Sequence, residues 1–142
     1  MERTISGMMG KGSVNHNTRA FSAKNVDKER SRDNVDFCHE DIKAVYHELF
    51  DEALERYNAK QKRSDRKIEN YYEKIRQGKQ EKLFYEVIFQ IGNRDDMNVR
   101  SEEGQLAKQI LSDFMADFQS RNPNLHVFSA HLHMDEETPH IH

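Results

Sequence analysis

With 142 residues, 35% of them hydrophobic and 33% charged, the chain has the size of one ordinary domain with a modest core and a large solvated surface. A net charge of -3 excludes nucleic-acid binding through the overall field, so any contact with phosphates must come from a local patch. The one cysteine, Cys38, excludes an internal disulfide and any thiolate metal cluster, and the absence of an apolar run near the roughly 18 to 20 residues that span a bilayer leaves no membrane segment to expect.

Thr4 to Met9 is short and apolar enough for a strand, and Gly10-Lys-Gly-Ser13 after it reads as a turn. A short helix or turn over Val14 to Ala23 would carry His16, Asn17 and Arg19. Lys11, Arg19, Lys24, Lys28, Arg30 and Arg32 crowd the first quarter against Glu2, Asp27 and Glu29, which makes this the patch suited to phosphates. Between about Asp41 and Lys62, the residues Ile42, Val45, Tyr46, Leu49, Phe50, Ala53, Leu54 and Tyr57 repeat at the spacing of a helix with one buried stripe, capped by Asp41. A second helix is predicted from about Lys67 to Gln77, stopped by Gly78.

Leu83 to Ile91 is rich in aromatic and β-branched residues and reads as a central strand covered on both faces, with Tyr85 in the core. Ser101 can cap a helix whose apolar face is Ala107, Ile110, Leu111, Phe114, Met115 and Phe118. Leu125 to His133 reads as a strand, Asp135 to Pro139 as a turn, and His140 as the start of another strand. The order predicts a single α+β domain, a mostly antiparallel sheet with helices packed mainly on one face.

Chemistry concentrates in the last ten residues, His133-Met-Asp-Glu-Glu-Thr-Pro-His-Ile-His142. Residues two apart on a strand share a face, so His140 and His142 can aim at one point while Ile141 turns to the core. A turn at Asp135 to Pro139 would bring His133 beside them. Three neutral imidazoles leave positions open for water or substrate, the arrangement of a catalytic metal site. Manganese or magnesium is the first expectation, with zinc, cobalt or nickel as alternatives. Asp135 and Glu136 would accept the second N–H of an imidazole, and Glu136 would also carry protons. His131 reads as an ordinary hydrogen-bonded histidine on the same strand face.

These ten residues resemble the histidine motif of the Mob/Pre plasmid mobilisation relaxases of MobV type, His-x-Asp-Glu-x-Thr-Pro-His-x-His, which they match in full. His16-Asn-Thr-Arg19 is similar to the family's early His-Asn-x-Arg motif, and Asn25-Val-Asp-Lys-Glu-Arg-Ser31 to the stretch that follows it, whereas Asn34 to Phe37 is only a loose match. The resemblance implies a sheet-based relaxase of the histidine-hydrophobic-histidine class, cytoplasmic and encoded by a bacterial plasmid or mobile element. It would cut and transfer one strand of single-stranded or supercoiled plasmid DNA at a transfer origin. By the same carry-over, His133, His140 and His142 hold a divalent metal, His16 is the nucleophile that becomes a phospho-histidine, and Glu136 assists it. Lys11, Asn17, Arg19, Arg30 and Arg32 would meet DNA, with Asp135 behind the ligands.

Family members continue past this motif, so the resemblance implies an incomplete relaxase domain without its oligomerisation region, and a terminal His142 is expected to fray. The competing expectations are a fragment that binds DNA or metal without turnover, and a rolling-circle replication initiator. Tyrosine serves as nucleophile in many related relaxases. Tyr46, Tyr57 and Tyr85 are better explained by packing, which leaves Tyr71 and Tyr72.

Overall fold

Alternating apolar residues build one antiparallel sheet of five strands: β1 Ile5–Met9, β2 Val35–His39, β3 Val87–Ile91, β4 Ser129–His133 and β5 His140–Ile141. The computed structural model describes residues 3–20, 24–93 and 95–142, so the end of the segment expected around Val14 to Ala23 lies outside the described residues. The strands lie in the order β1-β3-β5-β4-β2. The helices are α1 Val14–Asn17, α2 Ile42–Ala59, α3 Tyr71–Gln77, α4 Glu102–Ala116 and α5 Phe118–Arg121. The α+β class and the antiparallel sheet are as the sequence predicts. No helix among the described residues is long and apolar enough to cross a membrane.

The chain divides into two compact units, Met1–His39 with Glu86–His142, and Glu40–Tyr85. In the first, α4 packs on β3, β4 and β5. Ala107 and Leu111 from the helix meet Ile91, Leu132 and Ile141 from the sheet, together with Val99 and Met134, and Leu111 and Leu132 have no exposed surface. Phe89, Phe114 and Phe118 extend this layer with ring centroids 4.9 to 5.7 Å apart. Ser101 caps α4 as expected, accepting from the Gly104 amide at 3.0 Å. Ile110, expected on the apolar face, is 41% exposed, because at 100° per residue it falls to the side of the stripe through Ala107 and Leu111.

In the second unit, Asp41 caps α2 and Asn70 caps α3. Tyr46, Phe50, Tyr71 and Tyr72 pack their rings together, with centroids 5.0 to 6.0 Å apart, so Tyr71 and Tyr72 serve packing there. Of the stripe predicted on α2, Val45 is buried while Leu49, Phe50 and Tyr57 are exposed, since one short helix gives a long one little to pack against. Asn58 closes the loop between the helices by exchanging two hydrogen bonds with the backbone of Ile68, at 2.7 and 2.8 Å.

Two expectations about strands are corrected. Strand β3 begins at Val87, and Tyr85 stands 67% exposed, because the ladder to β1 runs only from Ile91 to Val87. The centre of the sheet is β5, and β2, which had not been predicted, pairs with β4 across a bulge between Asp36 and Cys38.

Gly104 lies where α4 passes the Asn98 carbonyl, and a Cβ there would fall inside that oxygen's contact radius. Gly104→Ala, which stabilises an open helix by about 1 kcal/mol, is therefore expected to destabilise this protein, read as a lower urea midpoint.

Candidate metal centre

The site is built on the β4–β5 pair. His133 faces His140, Leu132 faces Ile141, and His131 and His142 exchange both backbone hydrogen bonds at 2.9 Å. Directly opposed residues share a face and neighbours along a strand alternate, so His131, His133, His140 and His142 all stand on one face while Leu132 and Ile141 enter the core. The pairing with His131 corrects the expectation that His142 frays: its backbone N–H and C=O are both in the ladder.

His133, His140 and His142 each bring a ring nitrogen within 4.8 Å of the others'. Their ring centroids are 5.3 Å apart for His133 and His140, 4.9 Å for His133 and His142, and 4.8 Å for His140 and His142. A carbonyl oxygen only accepts, which assigns two of the tautomers. His133 Nε2 donates to the Asn17 carbonyl at 2.7 Å, and His140 Nδ1 donates to the Thr138 carbonyl at 2.7 Å. The lone pairs left over are on His133 Nδ1 and His140 Nε2. His133 Nδ1 and His142 Nδ1 are buried without a hydrogen bond, as suits nitrogens kept for a cation. Backbone carbonyls thus do what was expected of Asp135 and Glu136, because the strand and turn geometry brings them nearer to these ring N–H groups.

Burial, reinforced by Arg19 and the neighbouring histidines, pushes His133 down to about 3, and burial with the charges of His140, His16 and Arg19 pushes His142 down to about 3. Both rings are therefore neutral near pH 7, the form that binds a metal.

His16, on α1, approaches from the side of the His133 and His142 rings, at centroid distances of 6.1 and 5.9 Å. Ser13 caps this short helix, and Arg19 ends the segment in the left-handed region at φ 61°. That turn aims the Arg19 guanidinium back at the site. It donates to the His16 carbonyl at 3.0 Å, lies 3.3 Å from His16 Nε2, and donates to Glu136 Oε1 at 2.9 Å. Glu136 Oε1 is 3.6 Å from His16 Nε2, and its other oxygen is 3.6 Å from His140 Nε2. Glu136 thus stands between the expected nucleophile and a ligand.

Asp135 is fully buried and, with Glu136, brings a carboxylate oxygen within 4.8 Å of a ring nitrogen of His133. It accepts from Arg19 at 2.8 and 2.6 Å, from Ser31 at 2.6 Å and from Asn34 at 2.9 Å. Burial opposes its charge, but these donors outweigh it and keep the carboxyl well below the usual carboxylate range. Asn34 also accepts from the Met134 amide, so the β4–β5 turn is sewn to the segment before β2.

Two of the residues expected at DNA are engaged inside the protein. Asn17 is buried, giving its carbonyl to His133 and its side-chain amide to Glu86, and Arg19 is committed to two carboxylates. Lys11 and Arg32 are exposed, and Arg30 is half-buried on the turn Lys28–Asp33. Glu86 is the residue that sequence reasoning missed. It precedes β3, reaches Asn17 and the Gly12 amide, and places Oε2 at 3.5 Å from His142 Nδ1. Nothing in its sequence neighbourhood marks it, because its partners lie at least 56 residues away (142 − 86).

Two outcomes follow from these interactions. Asp135→Ala leaves Arg19 short of its main partner and should cost about 3–5 kcal/mol of stability, read in urea unfolding. For His133 and His142 the folded values lie below the ordinary 6.5, so between about 6.5 and 3 the unfolded chain binds protons that the folded chain does not. Metal-free protein should therefore lose stability as pH falls through that window, and a pH series of melting temperatures should flatten in that window for His133→Gln/His142→Gln.

Residues 38–142 match the sequence profile of the Mob_Pre family, described as plasmid recombination enzyme. A search of curated proteins finds no match. Among solved structures, the MobM relaxase domain (MOBV; Mob_Pre) bound to 22-nucleotide plasmid pMV158 oriT DNA, with manganese at pH 5.5, is 22% identical with a TM-score of 0.52. The same domain with 3′-thiophosphate DNA and manganese at pH 6.8 is 20% identical with a TM-score of 0.53. Each comparison covers 97% of this chain and 67% of the other, and shows a shared fold. The profile match runs from β2 through the last histidine, and by it the chain belongs to the Mob_Pre family of plasmid recombination enzymes.

Proposed function

We propose that this chain cuts and rejoins one DNA strand at a plasmid origin of transfer, with His16 as nucleophile and a divalent metal on His133, His140 and His142. The observation that carries this is the cluster of three imidazoles with ring nitrogens within 4.8 Å of one another, two of them buried without a hydrogen bond, and His16 beside them at ring-centroid distances of 6.1 and 5.9 Å. Family membership supports it, as do the manganese and oriT DNA in the MobM structures of like fold. Manganese is the ion in those MobM structures, and magnesium is its alternative here.

A bound divalent ion supplies Lewis acidity, drawing charge from a non-bridging oxygen of the scissile phosphate. The remaining chemistry belongs to side chains. With its ring proton on Nε2, beside Glu136 Oε1 at 3.6 Å, His16 offers the Nδ1 lone pair to phosphorus. The bond from phosphorus to the leaving sugar oxygen breaks, that oxygen takes up a proton, and a nitrogen–phosphorus bond holds the other DNA end. A neutral phospho-imidazole must shed its second ring proton, and Glu136, in contact with His16, is placed to receive it. Reversal by an incoming hydroxyl rejoins the strand. Exposed Lys11 and Arg32 are left to meet the DNA backbone.

With manganese and a single-stranded oligonucleotide from its own transfer origin, the chain should form a protein–DNA adduct that survives denaturation and base but is released by mild acid. Acid-stable adduct would indicate a tyrosine instead. His16→Ala should abolish the adduct and keep metal binding, His133→Ala should lose both, and Glu136→Gln should slow adduct formation about 10²–10⁴-fold.

A further inference from the structure

Four histidines, not three, share the metal-bearing face of the β4–β5 pair. His131 stands opposite His142 and His133 opposite His140. In a regular antiparallel pair the four Cβ atoms mark a rectangle, roughly 5 Å across the strands and 6 to 7 Å along them. The centre of a rectangle is equally distant from all four corners. A cation equidistant from the Cβ atoms of His133, His140 and His142 is therefore as near to that of His131, and the backbone gives no reason for His131 to be left out.

The side chains do. His131, 1% exposed, places Nδ1 at 2.6 Å from Asp36 Oδ1 and Nε2 at 2.8 Å from Ser129 Oγ. The carboxylate only accepts, so Nδ1 carries the proton, and the sole lone pair of the ring receives the Ser129 hydroxyl. Asp36 comes from β2, directly across from His131. Both ring nitrogens are thus engaged on the side away from His133, His140 and His142, whose own nitrogens remain available. We propose that Asp36 and Ser129 withhold His131 from the metal centre and so keep it a three-histidine site with positions open to the scissile phosphate. A fourth imidazole would move the site toward the closed coordination of structural metal sites, with tighter binding and less room for substrate.

This inference rests on the metal centre proposed above, and Co²⁺ loading tests the two separately because its visible spectrum reports ligand number. In Asp36→Ala/Ser129→Ala, the Co²⁺ spectrum should shift and affinity should rise by about ten-fold, the scale at which changes around metal ligands act. Adding His131→Gln should return both to those of the unsubstituted chain, and Asp36→Asn, which keeps an accepting oxygen, should leave both unchanged. A folded double variant with unaltered spectrum and affinity would overturn the proposal, as would changes that persist once His131 is removed. Should the double variant fail to fold, Asp36→Ala alone is judged by the same criteria, since the Asp36 side chain is 74% exposed and its loss opens no cavity. An unsubstituted chain that binds no Co²⁺ would remove the metal centre itself, and this inference with it.

Discussion

Asp135 is an ionised carboxylate with no exposed surface, and its charge is tolerable only because four donor contacts from Arg19, Ser31 and Asn34 converge on it. Those donors come from separate stretches of the first quarter, and the acceptor belongs to the turn that joins the two histidine-bearing strands. Satisfying one buried charge thereby fixes where His16 stands relative to His133 and His142. Arg19 accepts a left-handed backbone to take part, and the same guanidinium then presents itself to His16 and Glu136. The basic charge of the early segment is accordingly divided. Arg19 is spent inside the protein as a structural cation, while Lys11 and Arg32 remain on the surface.

Much of the fold was legible because its signals are local. Apolar spacing and capping residues gave α2 and α4 within a few residues, with Asp41 and Ser101 as the caps in both cases. The histidine cluster was legible for a similar reason: His133, His140 and His142 lie within ten residues, and the period of two along a strand settles their face. Strand β2 was missed although Val35, Phe37 and His39 alternate with Asp36 and Cys38, because five residues carry little weight beside a neighbouring 18-residue helix. Tyr85 was misplaced because a continuous apolar run does not show where hydrogen bonding begins. Glu86 and the roles of Asn17 and Asp135 were beyond reach, since each depends on a partner brought near only by the completed sheet.

The site also shows how a cation site can be prepared in advance. Burial suppresses protonation of His133 and His142, and carbonyl acceptors at Asn17 and Thr138 orient two of the rings. Glu136 bridges the two groups, with one oxygen 3.6 Å from His16 Nε2 and the other 3.6 Å from His140 Nε2. None of these contacts is strong alone. Together they restrict the rings to orientations that a metal would otherwise have to impose at an entropic cost.

Strand β5 is the middle strand of the sheet and the last of the five in chain order. The β1–β3 and β2–β4 ladders each form without it, but only β5 joins them. Sheet closure and assembly of the histidine cluster are therefore one event, completed only when β5, the last strand in the chain, pairs with β3 and β4. During synthesis, a nascent chain could carry His16 outside the ribosome long before the histidine cluster it packs beside is complete. Whatever chemistry the cluster supports therefore waits on β5.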